Sequence, residues 1–482
     1  MNTKLLKQKI LDLAIRGKLT QQLKSDGTAR ELLEQISSKV SSSSSTLSSP
    51  RRRGSPSSSA AKTIIPLDKN EVPFEIPENW EWVRLGDLCK ASSGKTPSTS
   101  QKEFWNGNVL WVTSKDVKQK YIDSTQICLS DLGASSMQLY PPKTMIIVGR
   151  SGILRHSLPV AILKKEATVN QDLKALVFKD DRVVEFVYSV LKGMEQHLLH
   201  EYKKAGTTVD NLNFDLFLTA PIPLPPLAEQ QRVVAKIEEA FAEIDAVEKN
   251  KELLKTHIKQ TRQKILDLAI HGKLVPQDEN DEPASVLLER ITRDNPHYEK
   301  IEDEPFEIPE NWIWARINDI NFFQSNTENP MLEGNKNRTY ELYSVPCFEA
   351  KYPEIVKGTE IGSTKVLVNK GDVLISKINP HLNRVWCVPQ FTEHRMIASS
   401  EWIIIRNPEI NQSYLVYVLQ SGYFLDKMLS NTSGVGGSLT RAKPYEVKKY
   451  EIPLPPLAEQ SRIVTKIEEL FSALDQMERN LV

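Results

Sequence analysis

The chain repeats itself in three places, and the order of those repeats limits what it can fold into. Residues 8–19, QKILDLAIRGKL, return at 263–274 as QKILDLAIHGKL, an offset of 255. Residues 73–80, PFEIPENW, return at 305–312, an offset of 232. Residues 222–230, IPLPPLAEQ, return at 452–460, an offset of 230. Three matches of this length, in one order, mark a duplicated unit. The ends of the unit are alike, while the enclosed segments 81–221 and 313–451 share little sequence. That is the pattern of one scaffold carrying two different readers.

The fall in offset from 255 to 232 gives the first copy 23 extra residues between its first two blocks, and the tract 37–59 supplies them. Thirteen of those residues are serine, with Arg51, Arg52 and Arg53 in the middle. Such a tract has no apolar surface to bury and is expected to be a disordered linker; a basic DNA tether or phosphorylation site is the lesser alternative.

Residues 228–271 contain neither Gly nor Pro, follow Pro225-Pro226 and stop at Gly272, which predicts one long helix of roughly 65 Å. Ile237, Phe241, Ile244, Val247, Leu254, Ile258, Ile265 and Leu268 fall mostly three or four apart, a stripe that wants a partner helix. The second copy begins at Ala458 and carries Ile463, Ile467, Leu470, Leu474 and Met477, but the sequence stops at Val482. By the offsets, Val482 corresponds to Glu252 and Met1 to Thr256, so a second helix is expected to be split between the two termini. A closed ring of two units with antiparallel helices and a pseudo-two-fold axis follows, with Met1 near Val482. The expected domains are 1–36 (helical part of the repeated scaffold), 37–62 (linker), 63–226 (first reader), 227–274 (central helix), 275–456 (second reader) and 457–482 (C-terminal helix).

Both readers look like mixed α/β domains. In the first, strands are expected at 109–113, 145–148, 160–163 and 175–178, and a helix at 183–199. In the second, they are expected at 366–368, 373–376, 385–388 and 402–405, with a helix around 413–429. A basic residue follows an apolar strand in each, Arg150 after MIIVG and Lys377 after VLIS, and each reader ends in a Gly-containing loop, 205–209 or 433–440.

Charge excludes less than it first suggests. The 62 Lys+Arg balance 62 Asp+Glu, which rules out a uniformly basic nucleic-acid coat but leaves room for a local basic groove. Segments 81–221 and 313–451 each lean only slightly positive. Cys89, Cys128, Cys347 and Cys387 are far apart with no C-x-x-C pair, so neither a disulfide framework nor a zinc cluster is suggested. No apolar run reaches membrane length and the N-terminus lacks a signal-peptide core, so the cytoplasm is the expected location.

Apparent catalytic motifs fail on inspection. Ser93-Gly94-Lys95-Thr96 lacks the first glycine of a phosphate loop, because position 89 is Cys89. Asn379-Pro380-His381-Leu382 lacks the second proline and the aromatic of an amino-methyltransferase tetrapeptide, and Gly149-Arg150-Ser151-Gly152 is not a nucleophile elbow. No acid, base and nucleophile assemble, and no metal spacing is present. The chain is expected to have no chemistry of its own.

The repeated IPLPPLAEQ helix, the ILDLAI-x-GKL block and PFEIPENW-x-W together resemble the specificity subunit of Type I restriction-modification systems. The resemblance covers essentially the whole chain. SSGKTPSTSQKEFWNGNVLWVTSKDV and IIVGRSGILRH look like target-recognition-domain motifs, while the second segment keeps only GDVLISKINPHLNR and SSEWIII. The resemblance implies two mixed α/β target recognition domains joined by two long, antiparallel, coiled-coil-like helices. It also implies a double-stranded DNA partner, two modification subunits that use S-adenosylmethionine, and restriction subunits that use ATP and Mg. No cofactor or metal is implied for this chain, and no membrane.

Base edges are read by Arg, Lys, Asn and Gln, and phosphates are held by Lys, Arg, Ser and Thr. The DNA-binding candidates are therefore Lys95, Thr96, Lys115, Arg150, Ser151, Arg155, Thr207 and Thr208 in the first reader, and Lys377, Asn379, Arg384, Arg441 and Lys443 in the second. Trp80 and Trp312 are expected to anchor reader to helix rather than to stack on bases. The competing readings are a structural adaptor whose variable segments bind protein and, less well supported, a self-contained methyltransferase.

Overall fold

The computed structural model describes residues 2–43, 67, 72–206, 208–295, 298–433 and 440–481. Its internal contacts divide into two units, Met1–Lys249 and Asn250–Val482, with the division inside the central helix Leu227–Ile270. That helix has 44 residues, one position earlier at each end than the sequence suggests.

In the first unit the N-terminal helix Thr3–Ile15 runs antiparallel to the first part of the central helix. Thr3 bonds Glu248, Lys7 pairs with Asp245, and the Lys7 ammonium lies 5.6 Å from the Phe241 ring centre. In the second unit the C-terminal helix Leu457–Arg479 runs antiparallel to the later part of the central helix. Arg262 pairs with Asp475 and lies 5.0 Å from the Phe471 ring centre. The expected stripes are buried only in part: Ile237, Ile244, Ile258, Ile265, Ile463 and Ile467 are covered, whereas Val247, Leu254 and Met477 are exposed. Met1 and Val482, expected to be neighbours, lie outside the described residues.

Both helical ends in the repeated ILDLAI block stop in the same way. Gly17 and Gly272 take φ of +67° and +64°, and Lys18 N and Lys273 N donate back to Leu13 O and Leu268 O, closing a Schellman turn. A short helix follows in each unit, Ala29–Ser43 or Ala284–Thr292, burying Leu32, Leu33 and Ile36 or Leu287, Leu288 and Ile291. The first of these runs into the serine tract as far as Ser43, which differs from a linker starting at 37. Ser37 Oγ and Ser38 Oγ donate to Leu33 O and Gln35 O, so these two serines satisfy themselves on the helix backbone. Residues 44–62, the remainder of the expected linker, lie outside the described residues, as do 63–66 at the start of the expected first reader.

Each reader is closed at its base by a two-stranded zip that the sequence reading missed. Glu81–Arg84 pairs with Pro221–Leu224, and Ile313–Arg316 pairs with Glu451–Leu454, both antiparallel. Prolines at 221, 223 and 453 argue against strands, but a two-stranded ribbon leaves an unbonded edge that tolerates them.

Beyond the zips the two readers share a core despite their unlike sequences. In the first, Met145–Val148 lies between Val160–Leu163 and Leu173–Phe178, all antiparallel. In the second, Val373–Ser376 lies between Val385–Cys387 and Trp402–Ile405 in the same manner. Among the described residues the first reader also has two parallel pairs, Trp105–Val112 with Ala167–Val169 and Tyr121–Ile122 with Val160–Leu163, and the second has one, Thr339–Tyr343 with Arg395–Ala398. They differ in what is added: Cys89–Ser93 and Tyr121–Ile122 extend the first, Lys365–Leu367 and Thr327–Glu328 the second.

The two expected reader helices are each broken once. In the first, Val184–Gly193 and Glu195–Tyr202 flank Met194, where the N-terminal helix crosses and Gln8 Nε2 donates to Gly193 O at 2.8 Å. In the second, Gln412–Gln420 and Gly422–Ser430 flank Ser421, whose hydroxyl caps the following helix by accepting from Phe424 N. Leu11, Ile15, Trp80, Phe186, Val187, Ile222, Val233 and Ile237 form one continuous core in the first unit, so the reader, N-terminal helix and central helix fold together.

Candidate nucleic-acid interface

The first reader builds its polar end where a fully buried strand stops. Met145–Val148 is buried at every position, and then Gly149 and Arg150 both donate backbone N–H to Asp172 O, at 2.8 and 3.2 Å. This turns the chain out of the sheet. Arg150–Ser151 then pairs with Asp210–Leu212, which also pairs with Lys203–Lys204. The result is a three-stranded ribbon with Arg150 opposite Asn211 and Lys204 opposite Asn211 on its other side.

The 169–172 segment links this ribbon to the Gly94 loop. Lys95 N donates to Val169 O at 3.0 Å, and Thr96 Oγ1 bonds Gln171. Gly94 is required here, because a Cβ would stand 2.0 Å from Val169 O. Lys115 sits in a turn that follows Val112, whose carbonyl accepts from Asn170 N. The structure thus gathers Lys95, Thr96, Arg150, Ser151, Arg155 and Thr208 around one end of the sheet, with Lys115 beside it. The side chains of Lys95, Lys115 and Arg150 are exposed and have no side-chain partner among the described residues.

Arg155 and Thr208 have a different standing. Asp210, 5% exposed, accepts from Gly206 N and lies 3.5 Å from Lys203 Nζ and 4.0 Å from Arg155 Nε. The Arg155 guanidinium also donates to Thr208 O at 3.5 Å. Both residues therefore help to shape the loop around a buried carboxylate. Ser151 is likewise engaged locally, its Oγ accepting from Ile153 N. Thr207 lies outside the described residues. Asp210, Gln171, Lys174 and Lys204 were not singled out from sequence; Lys174 donates to Ser93 Oγ at 2.6 Å from the neighbouring strand.

The second reader repeats the plan with more of its charge satisfied. Lys377 leaves the buried strand Val373–Ser376, and its carbonyl accepts from Ala442 N. Ile378 forms a bridge with Arg441. Asn379 adopts a left-handed φ of +49°; its N–H donates to Thr440 O and its side chain accepts from Thr440 N, so it fastens the returning strand. The Lys377 ammonium donates to Ser400 O, and burial pulls it below the usual lysine range. Arg441 donates to Glu401 at 2.9 Å and Arg384 faces Glu349 at 3.4 Å. Lys443 is exposed at the start of the short helix Pro444–Val447. Residues 434–439, most of the Gly-containing loop, lie outside the described residues.

The seats of the two readers are alike in detail. Glu229, in the first turn of the central helix, accepts from Trp80 Nε1 at 3.0 Å and Gln22 Nε2 at 2.6 Å. Glu459 accepts from Trp312 Nε1 at 2.9 Å and Gln277 Nε2 at 2.6 Å. The two tryptophans are buried, as anchors should be.

Residues 77–256 and 309–482 each match the Type I restriction modification DNA specificity domain. The chain belongs to that family. It is 22% identical to the specificity subunit of the Escherichia coli Type I restriction enzyme EcoEI, across 99% of this chain and 90% of that one. It is 23% identical to the EcoAI specificity subunit of the same organism, across 98% and 90%. A solved structure described as the structural basis of complex assembly and conformational transition of the Type I R-M system matches 85% of this chain and 94% of its own. Its TM-score is 0.55 at 18% identity, and it shares the fold. Membership in a DNA-specificity family with two domain copies supports the role of a non-catalytic DNA-recognition subunit and not that of a structural adaptor. Among the described residues no helix is long and apolar enough to cross a membrane.

Proposed function

We propose that the two readers each recognise one half of an asymmetric, bipartite site on double-stranded DNA, with unread base pairs between the halves. The observation that carries this is the pairing of like seats with unlike readers. Trp80–Glu229–Gln22 and Trp312–Glu459–Gln277 match bond for bond, while the polar ends of the readers differ in residue and charge. In this reading Lys95, Lys115 and Arg150 are the leading contacts of the first reader, and Lys377, Arg441 and Lys443 those of the second. Arg supplies the bidentate geometry that fits guanine in the major groove. The paired helices set the spacing and offer related surfaces to two modification subunits, which bring S-adenosylmethionine and the transferred methyl group; restriction subunits join them, in the cytoplasm.

The test is a binding assay on randomised duplex DNA, with and without modification subunits, followed by sequencing of the bound pool. Two unlike half-sites at fixed separation are expected. A bound pool without sequence preference in either arm would overturn the proposal.

A further inference from the structure

Each unit ties its three repeated sequence blocks to one buried carboxylate. Glu229 and Glu459 are both 0% exposed. Around Glu229, one oxygen accepts from Gln22, which also donates to Gly17 O at the end of the N-terminal helix; the other accepts from Trp80 and, at 3.4 Å, from Asn79. Gly17 packs so closely on the second block that a Cβ would stand 2.4 Å from Pro77 Cγ. The second unit reproduces this through Gln277, Gly272 O, Trp312 and Pro309, with the corresponding Cβ distance 2.3 Å. One turn along each helix an arginine straps the same loop: Arg232 holds both oxygens of Asp26, and Arg462 both oxygens of Asp281.

The position of the carboxylate gives it leverage. It lies in the first turn of a long helix, directly after the strand by which the reader's chain returns, and it grips the tryptophan just before the strand by which that chain leaves. Both ends of the reader are thus fixed to the helix at one point. A buried anion with donors converging from separate segments is satisfied in one arrangement only, and a donor left without its acceptor there is costly.

We propose that Glu229 and Glu459 are positioning residues that set the angle at which each reader leaves its helix, and through that angle the tolerance of the complex for half-site spacing. This rests on the bipartite reading above. Glutamine in place of the glutamate keeps the shape but points an amide N–H₂ at one of the converging donors, and phenylalanine in place of the tryptophan removes a donor while keeping a ring.

The experiment uses the full chain assembled with its modification subunits. Affinity is measured on DNA with the native spacer, with one base pair added or removed, and with either half-site scrambled. For Glu229→Gln, Trp80→Phe and Glu459→Gln, discrimination between native and altered spacers should fall about tenfold, while the preference for each half-site sequence is kept. A role in stability alone would lower the active fraction equally on every duplex and leave the spacer ratio intact, which overturns the proposal. Should a buried variant fail to fold, Arg232→Gln, in the half-exposed strap, carries the same readout with a smaller change. A wild-type complex that ignores spacer and half-sites would defeat the bipartite reading itself; one that discriminates beside variants that do so equally well would defeat only the clamp.

Discussion

The two units agree closely in their hydrogen bonds at the seats and only in backbone plan in the readers. At the seats, Trp80, Glu229, Gln22, Arg232 and Asp26 have counterparts in Trp312, Glu459, Gln277, Arg462 and Asp281, with distances equal to within a few tenths of an ångström. In the readers, the buried strand followed by an outgoing basic residue survives, yet Arg150 has no side-chain partner among the described residues while Lys377 donates to Ser400 O and Arg441 is held by Glu401. The lesson concerns constraint. A seat must satisfy a buried charge and so admits few solutions, whereas a reader need keep only a packed sheet and can vary the loops it presents.

The largest expected effect follows from that separation. Exchanging residues 81–221 for another reader of the family, leaving Trp80 and Ile222 onward untouched, should replace one half-site completely and leave the other unchanged. Specific sites typically exceed non-specific DNA by at least about a thousandfold, so the change is total in a methylation or binding profile. Alteration of both half-sites would break the contrast between fixed seat and free reader. Next comes an insertion of four residues near Lys251, about one helical turn or 6 Å. It should lengthen the unread spacer by one or two base pairs, at about 3.4 Å each, with both half-sites kept.

Much of this comparison was legible in the sequence, for physical reasons. A helix with 44 residues and no breaker, or a four-residue apolar run such as Met145–Val148, leaves the backbone little choice, and both were found where the pattern put them. The zips were hidden because prolines at 221, 223 and 453 spoke against strands, and only the tertiary pairing shows which edge they leave unbonded. The break at Ser421-Gly422 did have a local signal, a capping hydroxyl before a glycine, but the apolar periodicity on both sides masked it. Among the candidate contacts, residue type alone did not separate Arg150, which faces outward, from Arg155, which serves a buried aspartate. The repeated blocks revealed the seats, but not that Gln22 and Asp26, just past the matching stretch, belong to them.

A sharper comparison sets one arginine against another. Arg150→Ala should weaken binding to the first half-site by about 1–3 kcal/mol and relax its sequence, measured by competition with single-base variants. Lys115→Ala should instead weaken all duplexes alike and flatten the salt dependence by about one ion. Arg441→Ala should cost less than Arg150→Ala, because Arg441 must first leave Glu401. Glu401→Gln should accordingly strengthen binding through the second reader. Equal losses from the two arginines would mean that the ion pair opens freely and that the readers are closer in behaviour than in structure.

The smallest effect lies in the strap of the first seat. The Arg232 guanidinium, bonded to both Asp26 oxygens, holds that carboxyl below its ordinary value of 3.8. A lowered folded pKa binds the proton less tightly than the unfolded chain does, so its stabilisation is complete above that ordinary value and is lost as pH falls through the folded one. Glu229 runs the opposite way: burial raises its carboxyl, so acidification relieves a burial penalty there. Arg232→Gln should therefore lower the stability of the first unit by up to about 1 kcal/mol at neutral pH. Against wild type, the gap in a urea titration should begin to narrow as the pH falls below 3.8. A gap that did not narrow at all as the pH fell below 3.8 would show that the arginine acts through packing on the helix, not through its charge on Asp26.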